Sequence, residues 1–190
     1  MEFVLASQSP RRLEILARVG LCFEVIPSTV EEVMDERLSP CDLVQALALQ
    51  KAMDVVARVA QEKIVIAADT VVVLDGLVLG KPVDENDAFA MLSSLSGRSH
   101  TVYTGFACVQ GNVEVASFEQ TDVTFRTLTH DEIWAYIRSG EPMDKAGAYG
   151  VQGLGMLLVE RINGDFFNVM GLPMQKLACV LKEHFNYSVL

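Results

Sequence analysis

The sequence predicts an α/β domain built on a mixed β-sheet, and two patterns carry that prediction. Apolar strand-like segments alternate with amphipathic helical segments towards both ends of the chain, which is the pattern of helices that cover a sheet. Between them, β-rich segments at 100–109 and 113–125 flank Gly111-Asn112, a favourable two-residue hairpin turn. Because a hairpin adds antiparallel pairs to parallel strand–helix–strand units, we expect a mixed sheet.

Strand and helix signals alternate through the first half of the chain. Ser9 is interpreted as the N-cap of a helix that starts at Pro10 and is stopped by Gly20, since Pro suits the first helical position and Gly the residue beyond the last turn. The predicted elements of this half are a strand at 2–6, the Pro10 helix, a strand at 23–26, a polar and acidic loop at 28–40, a helix at 42–59 and a β-rich run at 64–74.

Cap and turn signals order the second half. Thr129 and Glu132 form a capping box that opens a helix, and Gly140 stops it. The predicted elements are a helix at 86–95 closed by Gly97, the two hairpin strands, the capped helix to 137, a glycine-rich run at 144–155, a strand at 156–162 and a last helix from Pro173 to about 184. With neither repeat nor linker, 190 residues predict a single domain at 1–190, whose length is also compatible with two lobes around a central cleft.

Composition restricts the class of protein. With 51% hydrophobic and 21% charged residues, the chain is globular rather than disordered. Its 25 acidic and 15 basic residues give a net charge of −10, which argues against a nucleic-acid or anionic-membrane surface because both require cationic patches. No signal peptide or bilayer-spanning stretch is recognisable. The four cysteines lie far apart without C-x-x-C, so we expect neither a zinc site nor disulfides, and a cytoplasmic location.

Two arginines occupy a position that ordinarily favours acidic residues. Arg11 and Arg12 fall in the first turn of the Pro10 helix, beside unpaired N–H donors and the positive end of the helix dipole. Each arginine there opposes the dipole by roughly 0.3–1 kcal/mol. An anion bound at the helix start, as phosphates are, would remove the conflict. Two solvated surface arginines are the alternative interpretation.

Asp69 interrupts the apolar run at 64–74. A bare carboxylate is costly to bury in such a run, so Asp69 either lies at a strand end exposed to a cleft or is held by cations or a metal. A turn aspartate between two short strands fits the pattern equally well.

Three lysines add positive charge to segments with ligand-binding potential. Lys51 lies on the apolar stripe of its helix, where a side chain that snorkels at the core edge is the ordinary explanation. Lys81 follows a strand but lacks the Walker A pattern around it. Lys145 starts the glycine-rich run, whose backbone amides can approach a ligand, although a plain loop is the more frequent outcome.

These five cations and one carboxylate, in an otherwise acidic chain, suit a triphosphate with a divalent metal. In this interpretation Asp69 and phosphate oxygens hold the metal. The cations then neutralise the charge that builds on the leaving group.

Six segments, in order from the first strand to the last helix, resemble the Maf family of nucleoside triphosphate pyrophosphatases. They are Ala6-Ser-Gln-Ser-Pro-Arg-Arg12, Ala68-Asp-Thr-Val-Val72, Gly80-Lys-Pro82, Leu95-Ser-Gly-Arg-Ser-His-Thr-Val-Tyr-Thr-Gly105, Asp144-Lys-Ala-Gly-Ala-Tyr-Gly-Val-Gln-Gly153 and Asn168-Val-Met-Gly-Leu-Pro173. The resemblance implies hydrolysis of a nucleoside triphosphate to the monophosphate and pyrophosphate with Mg²⁺, Mn²⁺ or a similar divalent ion, and so removal of unwanted nucleotides. It also implies a homodimer and an elongated mixed sheet flanked by helices, related to inosine-triphosphate pyrophosphatases.

The resemblance also implies roles for individual residues. Asp69 would be the base that activates water, and Asp69 with Glu31 would bind the metal. The residues expected to hold the phosphates are Ser7, Arg11, Arg12, Lys51, Lys81 and Lys145. The glycine-rich run looks like that of the dTTP/UTP branch, with CTP or modified pyrimidine nucleotides as further candidates. The specificity positions would then be Arg12, Thr70 and Gln152, whose amide offers a donor and an acceptor to a base edge.

Two other functions compete with this interpretation. The family is also associated with inhibition of septum formation, which implies a nucleotide-binding regulator without significant catalysis. Asp69 disfavours a pure binder, because a bare anion near phosphates opposes binding unless a metal or a reaction uses it. The same chemistry on 7-methyl-GTP is the second competitor, and the segment around Gln152 argues against it.

Overall fold

Among residues 2–35 and 37–190, which the computed structural model describes, seven strands and six α-helices are formed. The strands are β1 (Phe3–Leu5), β2 (Phe23–Val25), β3 (Ile64–Leu74), β4 (Leu77–Leu79), β5 (Ser99–Gln110), β6 (Val113–Phe125) and β7 (Val159–Asn163). The α-helices are α1 (Pro10–Arg18), α2 (Pro40–Val56), α3 (Glu85–Leu95), α4 (His130–Ile137), α5 (Phe166–Met170) and α6 (Met174–Phe185). None of the helices in these ranges combines the length and apolar character needed to cross a bilayer.

Strand pairing makes the sheet mixed. The strand order is β2-β1-β3-β5-β6-β7, and β4 pairs with β3 outside this path. β1 runs parallel to both β2 and β3, whereas the β3–β4 and β6–β7 pairs are antiparallel. The predicted α/β class, with a mixed sheet flanked by helices, is confirmed.

The described residues group into two compact units. The first unit comprises the chain up to Asp69 together with Thr104–Glu119 and Gly171–Leu190. The second unit comprises Thr70–Tyr103 and Gln120–Met170. Strands β3, β5 and β6 therefore contribute residues to both units.

Small residues bring α2 close to the strands of the first unit. The buried cluster there consists of Val4, Ala6, Ala48, Ala52, Val55, Val65, Ala67, Ala107 and Val109. The approach is closest at Gly105 on β5, where an added Cβ would lie 2.3 Å from both the carbonyl carbon and the carbonyl oxygen of Val44. A glycine is therefore required for α2 to pack this closely, and this packing fixes where Lys51 of α2 lies relative to β3.

Aromatic rings fill the core of the second unit. His100, Phe125 and Tyr149 meet edge to face, with ring centroids 4.7–5.2 Å apart. Phe89 of α3 stacks on Trp134 of α4 at 4.9 Å. Because Tyr149 belongs to the glycine-rich run, the aromatic cluster anchors the middle of that run.

Most predicted elements are present, with several local differences. β3 runs unbroken through Asp69, so the interpretation of Asp69 as a turn residue is wrong. The helix begins at Pro10 as predicted, but the Ser9 side chain makes no capping hydrogen bond. The predicted capping box on Thr129 is present. The strand predicted at 156–162 starts only at Val159, because a 3-10 turn occupies Gly153–Leu157. The short elements β4 and α5 lie in segments without a clear periodic signal.

Replacing Gly105 by Ala is expected to lower the free energy of unfolding by about 2–4 kcal/mol, because the new methyl group overlaps backbone that only a shift of α2 can relieve. Equilibrium urea unfolding measures the change. Gly80→Ala is the matched control, since a Cβ there meets nothing within 4 Å. Equal stability of the two variants would contradict the close approach of α2 to β5.

Candidate active site

A buried carboxylate on β3 is paired with a lysine on α2. Asp69 is 8% exposed, and Lys51 Nζ forms a salt bridge with Asp69 Oδ1. The Lys51 side chain is itself only 12% exposed. Because α2 seats deeply against the strands, the lysine on its apolar stripe ends at this carboxylate rather than in bulk water. The alternative in which cations hold Asp69 is therefore confirmed.

The ammonium group of Lys51 holds a second carboxylate as well. Its Nζ lies 2.8 Å from Oε1 of Glu32, whose side chain is 45% exposed. Sequence reasoning selected Glu31 in this acidic loop and missed Glu32. Successive side chains of an extended segment point to opposite sides, so the pattern identifies the loop but not which glutamate faces Lys51. Glu31 is exposed, and its metal-binding role stays a prediction.

The start of the acidic loop is tied to α2 by Asp54. Asp54 Oδ2 accepts hydrogen bonds of 2.9 Å from the amide of Thr29 and from Oγ of Ser28. The bond from the Thr29 amide is the main cause of a lowered pKa of Asp54, and the bond from Ser28 adds to it. The helix that presents Lys51 therefore also fixes the loop that presents Glu32.

Arg12 lies half-buried near the same carboxylate. Its Nε donates to the carbonyl oxygen of Gly171 at 2.8 Å, and its Nη1 donates to Oγ of Ser7 at 3.1 Å. Burial lowers the pKa of the Arg12 guanidinium, and the neighbouring Asp69 carboxylate acts in the opposite direction. The guanidinium remains protonated at neutral pH, so Asp69 has two cations near it.

Arg11 and Ser7 keep hydrogen-bond donors at the start of α1. The half-buried Arg11 side chain makes no hydrogen bond or ion pair within the described residues, and the first turn of α1 contains no acidic side chain. Ser7 Oγ accepts from the amide of Ser9 and from Arg12, which leaves its hydroxyl hydrogen for another acceptor. These donors at a helix N-terminus are the arrangement in which anions bind.

The second unit brings two predicted phosphate-binding segments together. The amide of Gly147 donates to the carbonyl oxygen of Gly80 at 2.9 Å, which joins the glycine-rich run to the segment that carries Lys81. Lys81 is exposed. Gly147 has φ +67°, and an added Cβ would lie 3.0 Å from the side chain of Val72, so glycine is required at this junction. Lys145 Nζ donates to the carbonyl oxygen of Glu141 at 2.6 Å.

The predicted specificity residues are half-buried. Thr70 directly follows Asp69 on β3, Gln152 directly precedes the 3-10 turn Gly153–Leu157, and Arg12 lies near Asp69 in the first unit. Their roles towards a substrate stay predictions.

His100 supports the glycine-rich run without carrying charge. Its Nε2 shares a hydrogen bond of 2.7 Å with the Tyr149 hydroxyl. Burial lowers the pKa of His100 to about 4, so the imidazole is neutral at neutral pH.

Carboxylates suited to a metal are few. Within residues 2–35 and 37–190, no group of three or more His, Cys, Asp or Glu side chains is close enough to hold a metal ion. Two acids, Asp69 and Glu32, pair with the same ammonium group of Lys51. A Mg²⁺ site with one or two carboxylates, completed by substrate phosphate oxygens, is compatible with that donor set.

Comparison with known proteins gives a consistent result along the chain. The sequence model of the family described as Maf-like protein matches residues 2–184. A dTTP/UTP pyrophosphatase of Thermoanaerobacter sp. (strain X514) is 50% identical over 192 aligned residues, which cover 100% of both chains. A dTTP/UTP pyrophosphatase of Bacillus cytotoxicus is 49% identical over 182 residues, which cover 96% of this chain and 95% of that protein.

A solved structure shares the fold. A HAM1 protein from Coxiella burnetii aligns with a TM-score of 0.53 and 18% identity, over 96% of this chain and 99% of that chain.

Lys51→Met is expected to destabilise the protein more than Asp69→Asn does. Loss of the lysine leaves the carboxylates of Asp69 and Glu32 without their shared partner, at a cost of about 3 kcal/mol. Loss of the Asp69 charge leaves Lys51 paired with Glu32, so a cost of about 1 kcal/mol or less is expected. Urea unfolding at pH 7 compares the two. A larger loss for Asp69→Asn would contradict the sharing of Lys51 between two acids.

Proposed function

We propose that this chain, which belongs to the Maf family, hydrolyses dTTP and UTP to the monophosphate and pyrophosphate. The names of the relatives in Thermoanaerobacter and Bacillus cytotoxicus support the substrate. The observation that carries the proposal is the buried Asp69 carboxylate, held by Lys51 beside Arg12 and the N-terminus of α1. This set combines an anionic base with donors for a phosphate chain.

The chemistry assigned to Asp69 is that of a general base. A carboxylate next to the substrate can accept a proton from water, and the ion pair with Lys51 holds Asp69 in place on β3. In the proposed step Asp69 takes a proton from water, and the water oxygen bonds to the α-phosphorus. The bond from that phosphorus to the bridging oxygen breaks, and pyrophosphate leaves with the electron pair.

The cations of the first unit are assigned to the phosphates. The carboxylates of Asp69 and Glu32 use two of the three N–H donors of Lys51. The third N–H has no partner among the described residues, so it is available to a phosphate oxygen. Arg11 and the Ser7 hydroxyl add donors at the helix start. Preorganised cations of this kind stabilise charge that develops on a leaving pyrophosphate.

The remaining assignments rest on the family's motifs. Lys81 and Lys145 are proposed to bind phosphate, and Thr70, Gln152 and Arg12 to select the base. The divalent metal is proposed to be held by Asp69 with a glutamate of the acidic loop. Glu31 is the residue that the motif suggests, and Glu32 is the one that reaches Lys51. When bound, the metal would neutralise phosphate charge and make a coordinated water more acidic.

The cytoplasmic location and the homodimer are also proposals. The family resemblance supports the homodimer, and four separated cysteines without C-x-x-C support a reducing compartment such as the cytoplasm. Light scattering coupled to size exclusion would give a mass of two chains for the homodimer, where one chain has a mass of 20.8 kDa.

Wild-type protein is expected to release pyrophosphate from dTTP and UTP in preference to CTP, GTP and 7-methyl-GTP when Mg²⁺ or Mn²⁺ is present. Asp69→Asn should lower kcat by about 10²–10⁴-fold, the usual contribution of a general base. A coupled pyrophosphate assay over the whole panel measures both effects. Asp131→Asn, an exposed carboxylate on α4, is the matched control and should retain wild-type turnover.

Each part of the proposal has its own contradicting result. Absence of pyrophosphate release from every nucleotide would favour the binding regulator over the enzyme. Activity retained by Asp69→Asn would remove Asp69 as the base. A preference for 7-methyl-GTP would overturn the assignment to dTTP and UTP.

A further inference from the structure

Both ends of the glycine-rich run form hydrogen bonds with Glu141. At the start, Lys145 Nζ donates to the main-chain oxygen of Glu141 at 2.6 Å. Beyond Gln152, the amide of Leu154 donates to Glu141 Oε2 at 2.8 Å, and the amide of Gly155 donates to Oε1 at 3.0 Å. Glu141 thus contacts both ends of the segment that contains Lys145 and Gln152, which have proposed roles towards the substrate.

A tyrosine of α4 extends this attachment. The Tyr136 hydroxyl donates to Glu141 Oε1 at 2.9 Å and accepts from the amide of Gly150 at 3.2 Å. Tyr136 is 5% exposed, and hydrogen bonds to a charged acceptor are stronger than neutral ones where water is excluded. Tyr136 and Glu141 therefore accept hydrogen bonds from the amide of Gly150, which precedes Gln152, and from the amides of Leu154 and Gly155, which follow it.

Steric contacts show that the run is folded tightly around this pair. Gly153 has φ +65°, and an added Cβ would lie 2.5 Å from Glu141 Oε2. At Gly155 an added Cβ would lie 1.9 Å from the oxygen of Gly150 and 2.8 Å from the Tyr136 hydroxyl. A side chain at Gly155 would overlap the backbone of Gly150. Glycines at 153 and 155 therefore allow the chain after Gln152 to pass close to Glu141 and Tyr136.

We propose that Glu141, together with Tyr136, is a positioning residue that sets the orientation of Gln152 and thereby the choice of nucleotide base. Both carboxylate oxygens accept bonds from the run or from Tyr136, so Glu141 acts through the run. The inference rests on the proposed function, in which Gln152 reads the base. An amide discriminates between bases only if its donor and acceptor are held in one orientation, because a mobile amide satisfies several base edges equally.

The first test changes the charge of Glu141 and keeps its size. In Glu141→Gln, an NH₂ group replaces one oxygen and faces an N–H of Leu154, Gly155 or the Tyr136 hydroxyl, so at least one bond is lost. The ratio of kcat/KM for dTTP to that for GTP is expected to fall about tenfold. Glu160→Gln, an exposed glutamate of β7 in the same unit, should leave the ratio unchanged.

The second variant removes the tyrosine contacts alone. Tyr136→Phe keeps the ring and loses the bonds to Glu141 and Gly150, so the dTTP-to-GTP ratio should fall in the same direction. Because the two residues form one network, the double variant should lose no more than about the larger single effect. Tyr136→Phe also keeps the test valid if Glu141→Gln does not fold.

Hydrogen exchange measured without nucleotide tests the hydrogen bonds to Glu141 independently of enzymatic activity. Hydrogen exchange at the amides of Leu154 and Gly155 should accelerate in Glu141→Gln and stay unchanged in Glu160→Gln. A wild type inactive on all nucleotides would overturn the proposed function and this assignment with it, whatever the exchange rates. If the wild type is active and both Glu141→Gln and Tyr136→Phe keep the wild-type dTTP-to-GTP ratio, the assignment alone is overturned.

Discussion

A charged carboxylate in the middle of a buried strand is costly unless a cation lies beside it. The packing of the first unit places such a cation next to Asp69. The cation is Lys51, which reaches Asp69 because α2 lies against the strands at glycine and alanine contacts. Arg12 adds a second positive charge from α1, itself fixed by the carbonyl of Gly171. Three elements distant in sequence therefore supply the charges around Asp69, and loss of Lys51 would leave a buried carboxylate without its ion-pair partner.

The same electrostatic arrangement is compatible with the proposed phosphorylated substrate and the proposed metal. Two carboxylates, Asp69 and Glu32, face three cations, Lys51, Arg11 and Arg12, so the local charge is close to balanced. A triphosphate brings several further negative charges. A divalent ion would offset part of them, and the chain's carboxylates need only complete a coordination shell that phosphate oxygens begin. The proposed base and the proposed phosphate-binding cations thus belong to one charge balance.

Local signals in the sequence predict most of the fold and the types of residues at the site. Pro10, the capping box at Thr129 and the hairpin at Gly111 each fix a local conformation, and the structure has all three. Pairings between distant segments leave no such signal. The choice of Glu32 over Glu31 depends on which side of an extended loop faces α2, and the attachment of the glycine-rich run to Glu141 depends on tertiary placement.

In the proposed reaction, Asp69 directs water at the α-phosphorus while cations stabilise the departing pyrophosphate. Hydrolysis of dTTP in water enriched in oxygen-18, with mass spectrometry of both products, tests it most directly. If water attacks the α-phosphorus, thymidine monophosphate carries the labelled oxygen and pyrophosphate carries none. Label in pyrophosphate, or release of orthophosphate with thymidine diphosphate, would contradict it, because the water would then have attacked a different phosphorus.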